Sequence, residues 1–318
     1  MVLPPGKKTH TMDPSIVDPL IEIIRIIGFK HQEFCFRSII FPLINSDRFA
    51  PGKDVHSVRV DQLEPEKMVI GIRAFLAIMA DLEKGESGRP PFPQTYQSNL
   101  HSERLPTSPI LASPKRLPSQ PQAKERAERL SRPVATSCLS DVAKDYYKRF
   151  CEILGKITII CDETFGGQAV LDEKFNSPTP KTPIVDSFNF SRRDDILSPV
   201  EQRHGYYELL HVAVQALPRC LSADIPFNSL INLLCTGTAH VQQQIADSSA
   251  QSIKSIARQS HAQQVTIGFA RFIFSFDDKY STMSDGGMLG PTHVENTLKL
   301  YVELLQRSEE RRVGKECL

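Results

Sequence analysis

Apolar residues in this chain recur at helical spacing, in separate blocks divided by proline, and this pattern restricts the fold more than any motif does. Between Pro65 and Leu82, the residues Met68, Ile72, Phe75, Met79 and Leu82 fall on one stripe, with Pro65 in the first turn and Gly85 as a stop. Upstream, Ile16, Val17, Leu20, Ile21, Ile24 and Ile27 repeat the spacing before Gly28. The stretch "HQEFCFRSIIFPLI" resumes it until Pro42, which must end or kink a helix. Leu139, Val142, Ala143, Tyr146, Phe150, Ile153 and Leu154 form a further face opened by Ser140 or Asp141. The adjoining "KITIIC" is β-branched and would suit a strand, but no second strand candidate lies nearby to pair with it, so it reads as helix.

Between the helical blocks the composition changes. Nine prolines lie in residues 86–137, with many Ser, Gln and Arg and no sustained apolar period. Such a segment buries too little surface to offset the entropy of ordering it, so it reads as a disordered linker. Its eight basic residues against four acidic ones give a mild positive bias. A second proline-marked linker precedes the final block, in which helices are expected to begin near His204, Pro226, Thr238, His261 and Pro291. Their offset of about 35 residues falls in the range of α-solenoid repeats, with the helices from His204 and Pro226 as one antiparallel pair and those from Thr238 and His261 as the next. Ser248, Ser249 and Ala250 suit close approach by a neighbouring helix. The expected organisation is a helical block at 1–85, a linker at 86–138, a helical segment at 139–175, a linker at 176–203, a helical-repeat block at 204–306 and an atypical tail at 307–318. The fold class expected is all-α, with HEAT/armadillo-like helical repeats interrupted by disordered linkers.

Composition excludes several functions. A formal net charge of +1 over 318 residues argues against a dedicated nucleic-acid binder. No segment approaches a membrane span, since the best candidate, 20–29, is broken by Glu22 and Arg25. The N-terminus lacks the apolar core of a signal peptide, so a soluble, cytoplasmic chain is expected. The seven cysteines include no CxxC pair, and Cys35, Cys151, Cys220 and Cys235 sit in apolar stretches as small hydrophobes.

No motif supplies catalytic chemistry, a metal site or a cofactor. The loop "DGGMLG", from Asp285 through Gly286 and Gly287 to Gly290, resembles a phosphate cradle but lacks the Lys of a Walker sequence, and no strand leads into it. Thr292 and Glu295 form a capping box after it, so a helix–helix turn explains the loop better than nucleotide binding. The competing reading is a nucleotide-binding enzyme built on residues 285–290. His204, His211, His240 and His261 show neither i,i+4 metal spacing nor an HExxH context. Ser108, Ser113 and Thr182 precede prolines in the linkers and are the candidate phosphorylation sites; the basic "SPKR" after Ser113 is of the kind cyclin-dependent kinases favour. Phosphate at Ser108 and Ser113 would offset most of the first linker's positive charge.

Four blocks are more specific. "IIGFKHQEFCFRSIIFPLINSDRF", "EKMVIGIRAFLAIMADLEKGE", "YYKRFCEILGKITIICDETFGGQAVLDEKF" and the long run from "LLHVAVQALPRCL" to "LYVELLQ" closely resemble the Furry-type cell-morphogenesis proteins, the fungal members above all. The resemblance extends from about Asp13 to Gln306. It implies part of a very large non-catalytic cytoplasmic scaffold of helical repeats. It also implies association with NDR-family protein kinase and its Mob coactivator, and roles in cell polarity and polarised growth at the cell cortex. No catalytic residue comes with it. Members are several times longer, which makes a truncated fragment without independent function a further reading, and "RSEERRVGKECL" departs from the family pattern after Gln306.

Overall fold

The computed structural model describes residues 14–50, 54–83, 131–176, 199–259, 261–280 and 291–316. Among these the regular structure is helical, with no strand. Helix α1 (Pro14–Lys30) turns Val17, Ile21 and Ile24 inward. Helix α2 (Gln32–Cys35) runs through a π-helical turn, Phe36–Ile40, into α3 (Phe41–Leu43). In the wider turn Phe41 N–H donates to Phe36 O, five residues back. That turn makes room for the ring of Pro42, which would crowd an ordinary α-turn. The run ends at Asn45, whose φ of 52° is left-handed.

Helix α4 (Pro65–Leu82) carries the expected stripe, with Met68, Ile72, Phe75 and Met79 fully buried. Helix α5 (Asp141–Phe165) contains "KITIIC". Ser140 is its N-cap, accepting Ala143 N–H at 3.2 Å. Then follow α6 (Gly167–Asn176), α7 (Pro199–Ala216), α8 (Phe227–Gly237), α9 (Gln243–Arg258), α10 (Ala262–Tyr280) and α11 (Pro291–Glu316).

These helices stack in two rows. In the longer row α1 packs on α4, α4 on α7, α7 on α9 and α9 on α11. In the other, α5 packs on α8 and α8 on α10, while α5–α7, α8–α9, α9–α10 and α10–α11 contacts join the rows. The fold is therefore an all-α helical-repeat stack. One apolar core runs through it, from Phe75 stacked on Phe150 (centroids 3.7 Å apart) to Phe165 stacked on Tyr206 (4.8 Å).

Several expectations are corrected. Helices α7 and α8 are not one another's main partners; α7 packs on α4, α5 and α9, and α8 on α5, α9 and α10. Helix α9 starts at Gln243 rather than Thr238, because His240 pins the intervening turn. Helix α7 starts at Pro199, inside the expected second linker, and α11 continues through residues 307–316 instead of ending at 306. Residues 131–138, placed in the first linker by composition, are built into the fold.

That last segment closes a buried polar junction. Arg219, in the 3-10 turn Leu217–Arg219, donates to the Glu83 carboxylate and, at 3.2 Å, to Arg132 O. The other Glu83 oxygen accepts Ala135 N–H at 2.7 Å, and Val134 N–H donates to Arg219 O at 3.3 Å. Tyr147 Oη donates to the same carbonyl, and Gln259 Nε2 to Ser131 O and Pro218 O. The end of α4, the segment from Ser131, helix α5 and the α7 and α9 ends thus meet at one node.

Candidate functional site

The site follows from how α9 is held. Its small residues face two neighbours: a Cβ on Gly237 would lie 2.4 Å from Ser249 Oγ, so α8 approaches closely, and Ser252 Oγ donates to Val214 O of α7 at 2.8 Å. The Ser248–Ala250 stretch therefore does serve close helix contact. Ala246 and Ala250 are left lining a groove of about 490 Å³, opposite Leu300 of α11, with Leu171 of α6 and the 238–241 turn at one end. Apolar side chains form its floor, and Asp247, Lys254, Lys299 and Glu303 supply charge along its walls.

Contacts within the groove fix its polar groups. Lys254 pairs with Glu303 at 3.0 Å, Lys299 with Glu295 at 2.6 Å, and Gln243 donates to Asp247 at 2.7 Å. Thr297 and His293 are 3.2 Å apart. His240 accepts Gln242 N–H on Nδ1 (2.9 Å), so its proton sits on Nε2 and is donated to Phe165 O (2.8 Å). Burial pushes the His240 pKa below that of a free imidazole and keeps the ring neutral. This is an amphipathic groove, suited to a polypeptide segment that combines a small apolar face with flanking polar groups.

Elsewhere among the described residues, several candidate side chains have structural partners. Ser248 Oγ lies 2.6 Å from His211 Nδ1, but it is buried and equally close to Gln244 O, the arrangement of a helix serine bonded back to its own preceding turn. His204 is exposed, and His261 contacts Gln264 at 3.2 Å. Cys35, Cys151, Cys161, Cys220 and Cys235 are buried; burial raises the Cys35 thiol to about 11 and the Cys235 thiol to about 12, which leaves them protonated. Among the described residues no group of His, Cys, Asp and Glu side chains could hold a metal, and no helix is long and apolar enough to cross a membrane. Ser108, Ser113, Thr182 and the loop 285–290 lie outside the described residues. Sequence reasoning singled out none of the groove as a site, because its walls come from three separated segments and no local motif marks them.

Comparison with known proteins supplies the context that the geometry lacks. Residues 1–307 match the family described as "Cell morphogenesis N-terminal". The chain is 23% identical over 303 residues to the cell morphogenesis protein PAG1 of Saccharomyces cerevisiae, covering 93% of this chain and 11% of that protein. No solved structure matches. The match stops within a residue of Gln306, where the sequence blocks also lose their resemblance. With nearly its whole length covered, the chain belongs to the cell-morphogenesis family, in that family's N-terminal region.

Proposed function

We propose that this chain is a non-catalytic scaffold segment of cell morphogenesis and polarised growth, working with an NDR-family protein kinase and its Mob coactivator in the cytoplasm and at the cell cortex. The observation that carries the reading is the family match across residues 1–307 on a helical-repeat framework, an architecture that binds through extended surfaces. The groove between α9 and α11 is the surface assigned to a polypeptide partner, since its apolar floor and fixed charges select a side-chain pattern without altering it. Ser108, Ser113 and Thr182 are proposed phosphorylation sites that tune this association through charge.

The test is capture of kinase and Mob by this chain, beside capture by a full-length family member. Ala250→Trp fills the groove floor and should abolish capture while leaving helical content unchanged. Undiminished capture by that variant would remove the groove from the reading, and no capture by either protein would remove the kinase complex.

A further inference from the structure

Two of the buried cysteines face each other inside the junction that Glu83 and Arg219 close. Cys151 stands one turn past Tyr147 on the same face of α5. Tyr147 Oη donates at 2.5 Å to Arg219 O, the carbonyl that leads into Cys220. That bond draws the two residues together, and the thiols of Cys151 and Cys220 lie within hydrogen-bonding reach of one another. Both are free thiols, 3% and 0% exposed. Cys35, equally buried, is bonded instead to a backbone carbonyl, donating to Ile24 O at 3.5 Å. The segment 131–135 covers the pair: Val134 N–H shares the Arg219 carbonyl with Tyr147, while Glu83 holds Ala135 N–H and Gln259 holds Ser131 O. Burial, with Cys151 alongside, keeps the Cys220 thiol well above its ordinary pKa, so it is unreactive while that cover is in place.

We propose that Cys151 and Cys220 are a redox pair, which hydrogen peroxide oxidises to a disulfide when the segment 131–135 lifts from the junction. The step balances with one peroxide. A cysteine sulfur, once its proton has passed to water, attacks one peroxide oxygen; the O–O bond breaks, the sulfur becomes a sulfenic acid and a water leaves. The second thiol then attacks that sulfur, the S–S bond forms, the S–O bond breaks and a second water carries off the hydroxyl. The two sulfurs together lose two electrons, and the peroxide gains them. The bond has a structural consequence, because Cys151 belongs to α5 in one row and Cys220 follows the end of α7 in the other. A disulfide here staples the two rows at the junction, in a stack whose members otherwise meet only through neighbouring packing. Peroxide alone leaves the covered pair reduced, and opening alone is reversible, so only the two together fix the rows.

Peroxide treatment of the full chain, followed by alkylation of the remaining thiols in denaturant and peptide mass mapping, tests this. A linked pair of peptides carrying Cys151 and Cys220 should form slowly in the parent and separate again with dithiothreitol. Glu83→Ala and Gln259→Ala each remove a tie on the segment. Each should speed the linkage roughly tenfold or more, because reaction runs through the opened population. Gln259→Ala is the milder change and carries the test alone if Glu83→Ala does not fold. Cys161 and Cys235, buried elsewhere, should stay reduced in both; their oxidation at the same rate would mean general unfolding and overturn the local opening. Equal linkage rates in parent and variants overturn the role of the segment. Linkage of either cysteine to a different partner, or none in the folded Gln259→Ala variant, overturns the pair. The oxidised parent should also unfold at higher urea than the reduced one, and Cys151→Ser should lose that gain; an unchanged midpoint overturns the staple.

Discussion

Substituting Glu83 probes the junction that the sequence concealed. The Arg219 and Glu83 side chains are 1% and 6% exposed, so their charges are held almost entirely away from water. Glu83→Ala would leave the Arg219 guanidinium buried without its carboxylate and remove the acceptor of Ala135 N–H. Breaking a buried pair from one side costs about 3–5 kcal/mol. An orphaned backbone N–H alone costs about 1–3 kcal/mol, but it shares that site, so about 4 kcal/mol is the expected total. Domains are stable by about 5–15 kcal/mol, which makes this a large fraction. Urea denaturation followed by circular dichroism measures it, with amide exchange at Val134 and Ala135 as the local readout. Arg219→Met combined with Glu83→Leu should recover the part of the loss due to the stranded charge, while Ala135 N–H stays without its acceptor. Lys299→Ala breaks a pair whose side chains are 67% and 63% exposed and should cost under about 1 kcal/mol. If Glu83→Ala costs no more than Lys299→Ala, the node is solvated and the reasoning fails.

Other outcomes follow from single sites. Burial, with Glu163 nearby, raises the Asp162 pKa from 3.8 to about 7, so its ionised form opposes folding above that pH and the opposition fades as the pH falls toward 3.8. Asp162→Asn should therefore raise the melting temperature most above pH 7 and progressively less below it; a pH-independent difference would contradict the assignment. A Cβ on Gly167 would lie 1.9 Å from Thr236 O, so Gly167→Ala must push α6 from α8 and should cost about 3 kcal/mol, read by thermal denaturation. Because Glu83 and Ala135 are joined directly, replacing residues 84–130 with a short Gly-Ser bridge should leave the melting temperature within a few degrees of the parent, and a collapse of helical content would show that the junction needs that segment.

What was legible in the sequence was whatever repeats locally. The stripes of α1, α4 and α5 announced themselves because each buries one face, as Met68, Ile72 and Phe75 do. "KITIIC" shows packing overriding propensity: Ile157 and Ile160 are buried, and Thr158 satisfies its hydroxyl by donating to Leu154 O at 2.7 Å. The errors arose where a single distant contact decides the structure. Val134 is one apolar residue among prolines and serines, yet it is buried and bonded to Arg219 O, 85 positions away in the chain. Glu83 and Arg219 are 136 residues apart and neither carries a mark of the other. Pro42 announced a disruption but not its form, since a π-turn, a kink and a stop all follow from the same missing N–H.

The misassigned helix pairing has the same origin and bears on the groove. Chain adjacency argued for α7 against α8, because a short connection usually joins antiparallel neighbours. In two interleaved rows, adjacency along the chain and adjacency along a row are different relations, and α7 belongs with α4 and α9. Helix α9 is then gripped by α7 through Ser252 and by α8 through Ser249 beside Gly237. Those contacts, and not α11 alone, set its position. Helix α11 meets α9 through the Lys254–Glu303 pair and the bond from Arg307 to Lys254 O, and α10 through the bond from Thr266 to Leu304 O. Lys254 and Glu303 also stand in the groove's wall, and Ala246 and Asp247 line it farther along α9. The groove is thus the part of a helix contact that small side chains leave unfilled, and its width is governed by residues that do not touch its floor.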